Sequence, residues 1–219
     1  MNKKYLIITV ICLIISLISG ILSHDILIGG TNLLTALLCA YFSSEGKRIS
    51  YILGLINYLL IGYISFKNQL YGLFIFGVII CPILQIEGYI SWGKNLDENK
   101  TVKVREFTLK NSIIITLSCL IGSLILSYLL TLIPGQRIAF MDASSNIINL
   151  CGVVLMILRF KESWWIWLVN NIIDLLIWII TVIERGEGSI MMLLVSIGYL
   201  LINIYGIIKW NKDAKKEAN

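Results

Sequence analysis

Charge is scarce in this chain. Only 14% of its 219 residues are Asp, Glu, Lys or Arg, well below the share of about 25% in soluble domains. Hydrophobic residues make up 58% and the mean hydropathy is +0.86, more apolar surface than a soluble globule of this length can bury. Histidine is limited to His24, in a loop, where a lone histidine is normally solvated. The five cysteines (Cys12, Cys39, Cys81, Cys119, Cys151) all sit inside apolar runs without a CxxC spacing, so they read as small core residues, neither disulfides nor metal ligands. No metal-ligand cluster, no nucleophile with its base and no paired carboxylates are visible, which argues against an enzyme and against a cofactor. The net charge of +5 implies no nucleic-acid partner, because the basic residues cluster in short loops and the tail.

What the chain does have is long hydrophobic runs. Eight of them, at about 5–22, 26–42, 49–66, 70–92, 113–133, 139–160, 164–183 and 189–210, are separated by short polar clusters. Each is about the length that a helix needs to cross the hydrocarbon core. Hydrocarbon offers the backbone no hydrogen-bond partners, and no alternating barrel pattern competes, so helices are expected throughout. With the N-terminus inside, fifteen of the 18 basic residues fall in inner segments and only Lys67, Arg137 and Arg185 outside. That asymmetry is what cytoplasmic N- and C-termini in a bacterial plasma membrane predict for a multi-pass protein, and one helix more or fewer would scramble it. Lys3 and Lys4 before the first run could also open a signal peptide. The run is long and Ser19-Gly20-Ile21 makes a poor cleavage site, so a retained helix is expected.

An internal repeat organises these spans. A shift of 117 residues lays Asp25 on Asp142, Asn32 on Asn149, Glu45 on Glu162, Gly54 on Asn171 and Asn57 on Asp174. One inserted residue later, Cys81 meets Tyr199, Gln85 meets Asn203, Gly88 meets Gly206 and Trp92 meets Trp210. The expected divisions are an extra N-terminal helix (1–23), a first three-helix repeat (24–94), a connector with an inverting helix (95–134), and a second repeat with a basic tail (135–219). This all-α 3+1+3 layout with parallel repeats is that of SWEET-type transporters, whose substrates bind near the midplane between the repeats.

The seventh run carries the most chemistry. Trp164, Trp167, Asn171, Asp174 and Trp178 share one helical face. An ionised carboxylate at the middle of a span costs about 2.5–3.5 kcal/mol on insertion scales, so Asp174 should face the bundle interior. Aromatic faces, amides and a carboxylate suit a polar aromatic ligand, although Asn and Asp also glue helices together and Trp164 and Trp165 could form an interface belt. The fourth and eighth runs repeat the logic with Gln85 and with Tyr199 and Asn203, while Trp92 and Trp210 beside Lys94 and Lys212 read as interface anchors. Asn32, Asn57 and Asn149 complete a polar core, Pro82 should kink the fourth span and free the Val78 carbonyl, and Glu87 could face either the interior or the headgroups.

Trp164-x-x-Trp167-x-x-x-Asn171 resembles the WxxWxxx(N/D) signature of the Pnu family of bacterial vitamin transporters, as do the layout and the G-x-x-x-W ends at Gly88–Trp92 and Gly206–Trp210. The resemblance implies facilitated diffusion of a vitamin precursor, trapping by later intracellular phosphorylation, and a homotrimer. A cationic pyridinium bearing a ribose would suit the aromatic faces, carboxylate and amides, so nicotinamide riboside heads the candidates. Thiamine meets the same argument; riboflavin or a deoxynucleoside would leave Asp174 without an ionic partner. A non-transporting receptor subunit is the alternative of a different class.

Overall fold

A computed structural model describes residues 3–98, 100–107, 109–185 and 190–217. Ser189, where the last span was expected to begin, and the side chains of Lys110, Arg185 and Lys216 lie outside the described residues. Among the described residues, eight helices are long and apolar enough to cross a bilayer. They are α1 (Lys3–Leu22), α2 (Ile26–Ser44), α3 (Ile49–Lys67), α4 (Tyr71–Gly93), α5 (Leu109–Thr131), α6 (Ala139–Ile157), α7 (Ser163–Arg185) and α8 (Ile190–Glu217). Extended pairing among the described residues is confined to two isolated bridges, Leu96 with Val102 and Arg105 with Phe160.

Two helices depart from regular α geometry in their first halves. The first turn of α2, Ile26–Gly30, is wide, and the Asp25 carboxylate accepts the Ile28 N–H at 3.3 Å. A second wide turn, Phe76–Ile80, interrupts α4 just before Pro82. Proline has no N–H for the carbonyl four residues back, and widening the preceding turn is one way to absorb the defect. The expected disturbance at Val78 therefore takes the form of an inserted residue. At the same level α4 closes tightly on α3, since a Cβ on Gly77 would lie 2.6 Å from the Tyr58 carbonyl oxygen.

Six helices form a closed ring in the order α2, α3, α4, α6, α7, α8 and back to α2. The first three and last three are the two repeats, which meet along α2–α8 and α4–α6. Outside the ring, α5 lies against α6 and α1 against α2, both mostly exposed on their outer faces as lipid contact requires. The extra N-terminal helix thus holds the place in the first half that the connector helix holds in the second.

The start of α1 and the end of α8 lie at one end of the ring, here the terminal end; the opposite is the far end. At the terminal end the segment after α4 ties the repeats together. The Val102 N–H donates to the Gly46 carbonyl at 3.0 Å, and Arg105 N–H to the Arg159 carbonyl at 2.8 Å, while Val102 and Val104 are buried. The Lys4 ammonium of α1 bonds the Glu45 carboxylate at 2.8 Å, which also accepts the Tyr205 hydroxyl at 2.6 Å. Burial alone would raise the Glu45 pKa; the Lys4 and Tyr205 hydrogen bonds outweigh it and hold the carboxyl below its ordinary range.

At the far end the link between repeats is Asp142, fully buried in α6. Its carboxylate accepts the Gly72 and Leu73 N–H groups, each at 3.0 Å, from the first turn of α4. These are donors that a helix N-terminus leaves unpaired, and the helix dipole favours an anion there. Gln136 and Asn146 side-chain amides complete the shell at 2.8 and 2.9 Å.

Candidate functional site

The ring encloses a cavity of about 50 Å³, room for a few water molecules. Every ring helix contributes: Cys39 from α2, Tyr58 and Ile61 from α3, Leu73 and Phe76 from α4, Asn149 from α6, and the rest from α7 and α8. The single-face spacing on α7 puts Trp167, Asn171, Asp174 and Trp178 into the lining together with Asn170, a wall about 16 Å long at 1.5 Å per residue. From α8 come Met192, Val195, Ser196 and Tyr199. The lining holds one carboxylate and no Lys, Arg or His among the described residues.

Asp174 is held from two sides. The Ser145 hydroxyl of α6 donates to one carboxylate oxygen, and the Asn170 amide, one turn earlier on α7, donates to the other at 2.8 Å. Two hydrogen bonds orient the carboxylate and leave it without a cationic partner among the described lining residues. Across the cavity the Tyr58 hydroxyl donates to Asn149 Oδ1 at 2.9 Å and the Tyr199 hydroxyl to Asn57 Oδ1 at 2.7 Å. The first bond joins the repeats through α3 and α6, the second through α8 and α3. Trp167 packs against α6 at Gly152, where any side chain would collide with its indole, and its Nε1 has no acceptor.

Of the nine residues singled out by sequence, Trp167, Asn171, Asp174, Trp178, Tyr199 and Asn149 line this cavity. Gln85 lines a smaller chamber beside it. Two do not reach either space. Asn57 stands behind Tyr199 with its amide spent: Nδ2 donates to Asn32 Oδ1 at 2.8 Å and its oxygen takes the Tyr199 hydroxyl. Asn203 is 1% exposed with no partner at either amide atom. It occupies the α8 face between Tyr199 and Gly206, and Trp164 crowds Gly206.

The structure decides three other readings. Trp92 and Trp210 are not interface anchors, being 0% and 1% exposed. Trp92 Nε1 donates to the Met156 carbonyl of α6 at 2.8 Å, and Trp210 Nε1 to the Ser44 carbonyl of α2 at 3.1 Å, so each repeat's last helix clasps the other's first. Their rings, 5.9 Å apart, join Tyr51 and Trp164 in an aromatic plug across the terminal end. Of the supposed belt pair, Trp164 is buried and Trp165 is exposed. Glu87 is exposed on the outer face of α4, away from the cavity. Tyr58, Asn170 and Ser145 were not anticipated. The latter two stand one turn before Asp174 and Asn149 on the same faces, a spacing that could have revealed them.

Comparison with known proteins extends the picture. A family described as nicotinamide mononucleotide transporter matches residues 26–212. A nicotinamide riboside transporter PnuC from Neisseria mucosa is 30% identical over 190 residues, spanning 84% of this chain and 72% of that one. Its namesake from Haemophilus influenzae is 26% identical over 186 residues, spanning 84% and 78%. The crystal structure of a vitamin B3 transporter PnuC superimposes with a TM-score of 0.86 at 26% identity, over 99% of this chain and 94% of that chain. The family match begins at α2, whereas the structural match takes in α1 as well.

Proposed function

The chain belongs to the nicotinamide mononucleotide transporter family, and we propose that it carries nicotinamide riboside across the bacterial plasma membrane by facilitated diffusion through the cavity between its repeats. The observation that carries this reading is the composition of the lining. Trp167, Trp178 and Tyr58 offer aromatic faces, Asn149, Asn170 and Asn171 offer amides, and Asp174 offers one oriented negative charge. A pyridinium over aromatic faces and near a carboxylate is well served, and ribose hydroxyls match the amides.

The same lining argues between the two substrates that the family description and the curated relatives name. A mononucleotide adds a phosphate anion, which needs Lys, Arg or an unsatisfied helix N-terminus. The described lining supplies no basic side chain and places Asp174 there instead. The riboside is therefore the better fit. Thiamine shares the cationic ring and is the second reading.

The cavity is enclosed by the ring as shaped, so a ring with its ribose can enter only when the walls part. Each end is closed by bonds between repeats, Trp92 and Trp210 at the terminal end and Asp142 at the far end. Rocking one repeat against the other would break one set while keeping the second, which supports alternating access. The excess of basic residues around the terminal end supports a cytoplasmic orientation for it. The Pnu resemblance adds trapping by intracellular phosphorylation and a homotrimer, the latter open to crosslinking in native membranes.

Calorimetric titration of the purified protein with nicotinamide riboside, nicotinamide mononucleotide, thiamine, riboflavin and a deoxynucleoside tests the reading. Selective binding of the riboside is expected. Preference for the mononucleotide would overturn the charge argument, and silence across the panel would overturn the substrate class.

A further inference from the structure

A second, smaller space lies beside the cavity, past Trp167 toward the terminal end. A chamber of about 20 Å³ shares Cys39, Tyr58 and Trp167 with it and is otherwise walled by residues such as Ser43, Ser50, Tyr51 and Gln85. Three polar atoms around this chamber make no hydrogen bond of good geometry: Ser50 Oγ, Tyr51 Oη and Trp167 Nε1. Ser50 is 1% exposed and Tyr51 5%, so neither hydroxyl reaches solvent. Buried polar groups are nearly always paired, and unpaired ones are expensive to keep. The nearest indole, Trp92, edge-on to Tyr51 at 4.9 Å, can share with its hydroxyl only an N–H already donated to the Met156 carbonyl at 2.8 Å. Packing alone gives no reason for the hydroxyl either, since a phenylalanine would fill the same place against Gly88.

The position of the chamber suggests what those atoms serve. It lies between the cavity and the aromatic plug, on the path a solute must take once Trp92 releases Met156 and Trp210 releases Ser44. Ser50 lies in the first turn of α3 and Ser43 in the last turn of α2, so the chamber sits where that gate would part. We infer that this chamber is a second, transient subsite on the terminal-end path, where the ribose hydroxyls of the departing substrate meet Ser50, Tyr51 and Trp167. The inference rests on the transport reading above. The hydroxyls lower the barrier to release, while affinity belongs to the Asp174 cavity.

The test separates flux from affinity with variants that keep shape, Tyr51→Phe and Tyr51→Phe combined with Ser50→Ala. Calorimetry gives the dissociation constant for nicotinamide riboside, and proteoliposomes loaded with the labelled riboside give the flux. Losing transition-state hydrogen bonds should slow flux about fivefold or more while affinity stays within about twofold of wild type. Melting temperature should hold or rise, because orphan hydroxyls are removed. Unchanged flux in both variants would overturn the inference and mark the chamber as a place for a structural water, the more so if melting temperature fell. Affinity and flux falling together would also overturn it, by placing these hydroxyls in the main site. A wild-type protein that neither binds nor moves the riboside would defeat the transport reading instead, and this inference with it.

Discussion

Replacing Asp174 by Asn should weaken nicotinamide riboside binding roughly 30- to 150-fold without disturbing the fold. The magnitude follows from Coulomb's law: a cation about 6 Å away at an effective dielectric of about 20 gains about 2–3 kcal/mol from the carboxylate. The fold is spared because both neighbours of Asp174 can be kept. An amide oxygen can still face Asn170 Nδ2, and an amide nitrogen can donate to Ser145 Oγ, a hydroxyl that accepts as readily as it donates. The stability change should therefore stay below about 1 kcal/mol. Calorimetry with the riboside and with a neutral nucleoside, alongside a thermal melt, isolates the charge. The riboside should lose affinity while the neutral nucleoside changes little. Equal losses for both ligands would show that Asp174 acts through shape or hydrogen bonding. An unchanged riboside constant would remove it from the site.

Gly152→Ala should cut riboside binding about tenfold or more by pushing the Trp167 indole off its seat on α6, with Trp fluorescence reporting the displaced ring. Asp142→Asn replaces one acceptor oxygen by an NH2 donor that faces donors already committed there, either the Gly72 N–H and the Gln136 amide or the Leu73 N–H and the Asn146 amide. A loss of about 1–3 kcal/mol is expected, read as a lower melting temperature that Asp142→Glu does not reproduce in size. Because the Glu45 carboxyl is held below its ordinary range, its contribution to stability is present above about pH 4.3 and fades as pH falls through the lower folded value. Melts recorded from pH 7 downward should show this acid loss in wild type, and Glu45→Gln should remove that component.

Architecture was largely legible in the sequence because a bilayer imposes it. Run lengths and the distribution of Lys and Arg define eight spans, and polar residues at a constant offset define the repeat. The counterpart of α1 escaped because lipid-facing helices such as α1 and α5 accept Leu and Ile interchangeably, leaving no pattern for a repeat to preserve. The α7 stripe was readable since five spaced residues on one helix need no partner to be recognised. Positions whose meaning depends on another helix were not. Trp92 and Trp210 beside lysines look alike whether an indole meets headgroups or the carbonyl of the opposite repeat. Asn57 and Asn149 look alike too, yet one amide is consumed by Asn32 and Tyr199 while the other keeps a face on the cavity. Repeat logic equated Gln85 with Asn203, and local packing then separated them, Gln85 against Gly54 beside the chamber and Asn203 near Trp164 and Gly206.

The central claim, that the cavity between the repeats passes nicotinamide riboside down its gradient, is tested most directly by flux into proteoliposomes. Vesicles holding the purified protein, with no ion gradient imposed, should equilibrate external labelled riboside far faster than protein-free vesicles. The added rate should vanish with Trp167→Ala and Asp174→Asn. Equilibration no faster than in protein-free vesicles, or an added rate that survives both substitutions, would contradict the account.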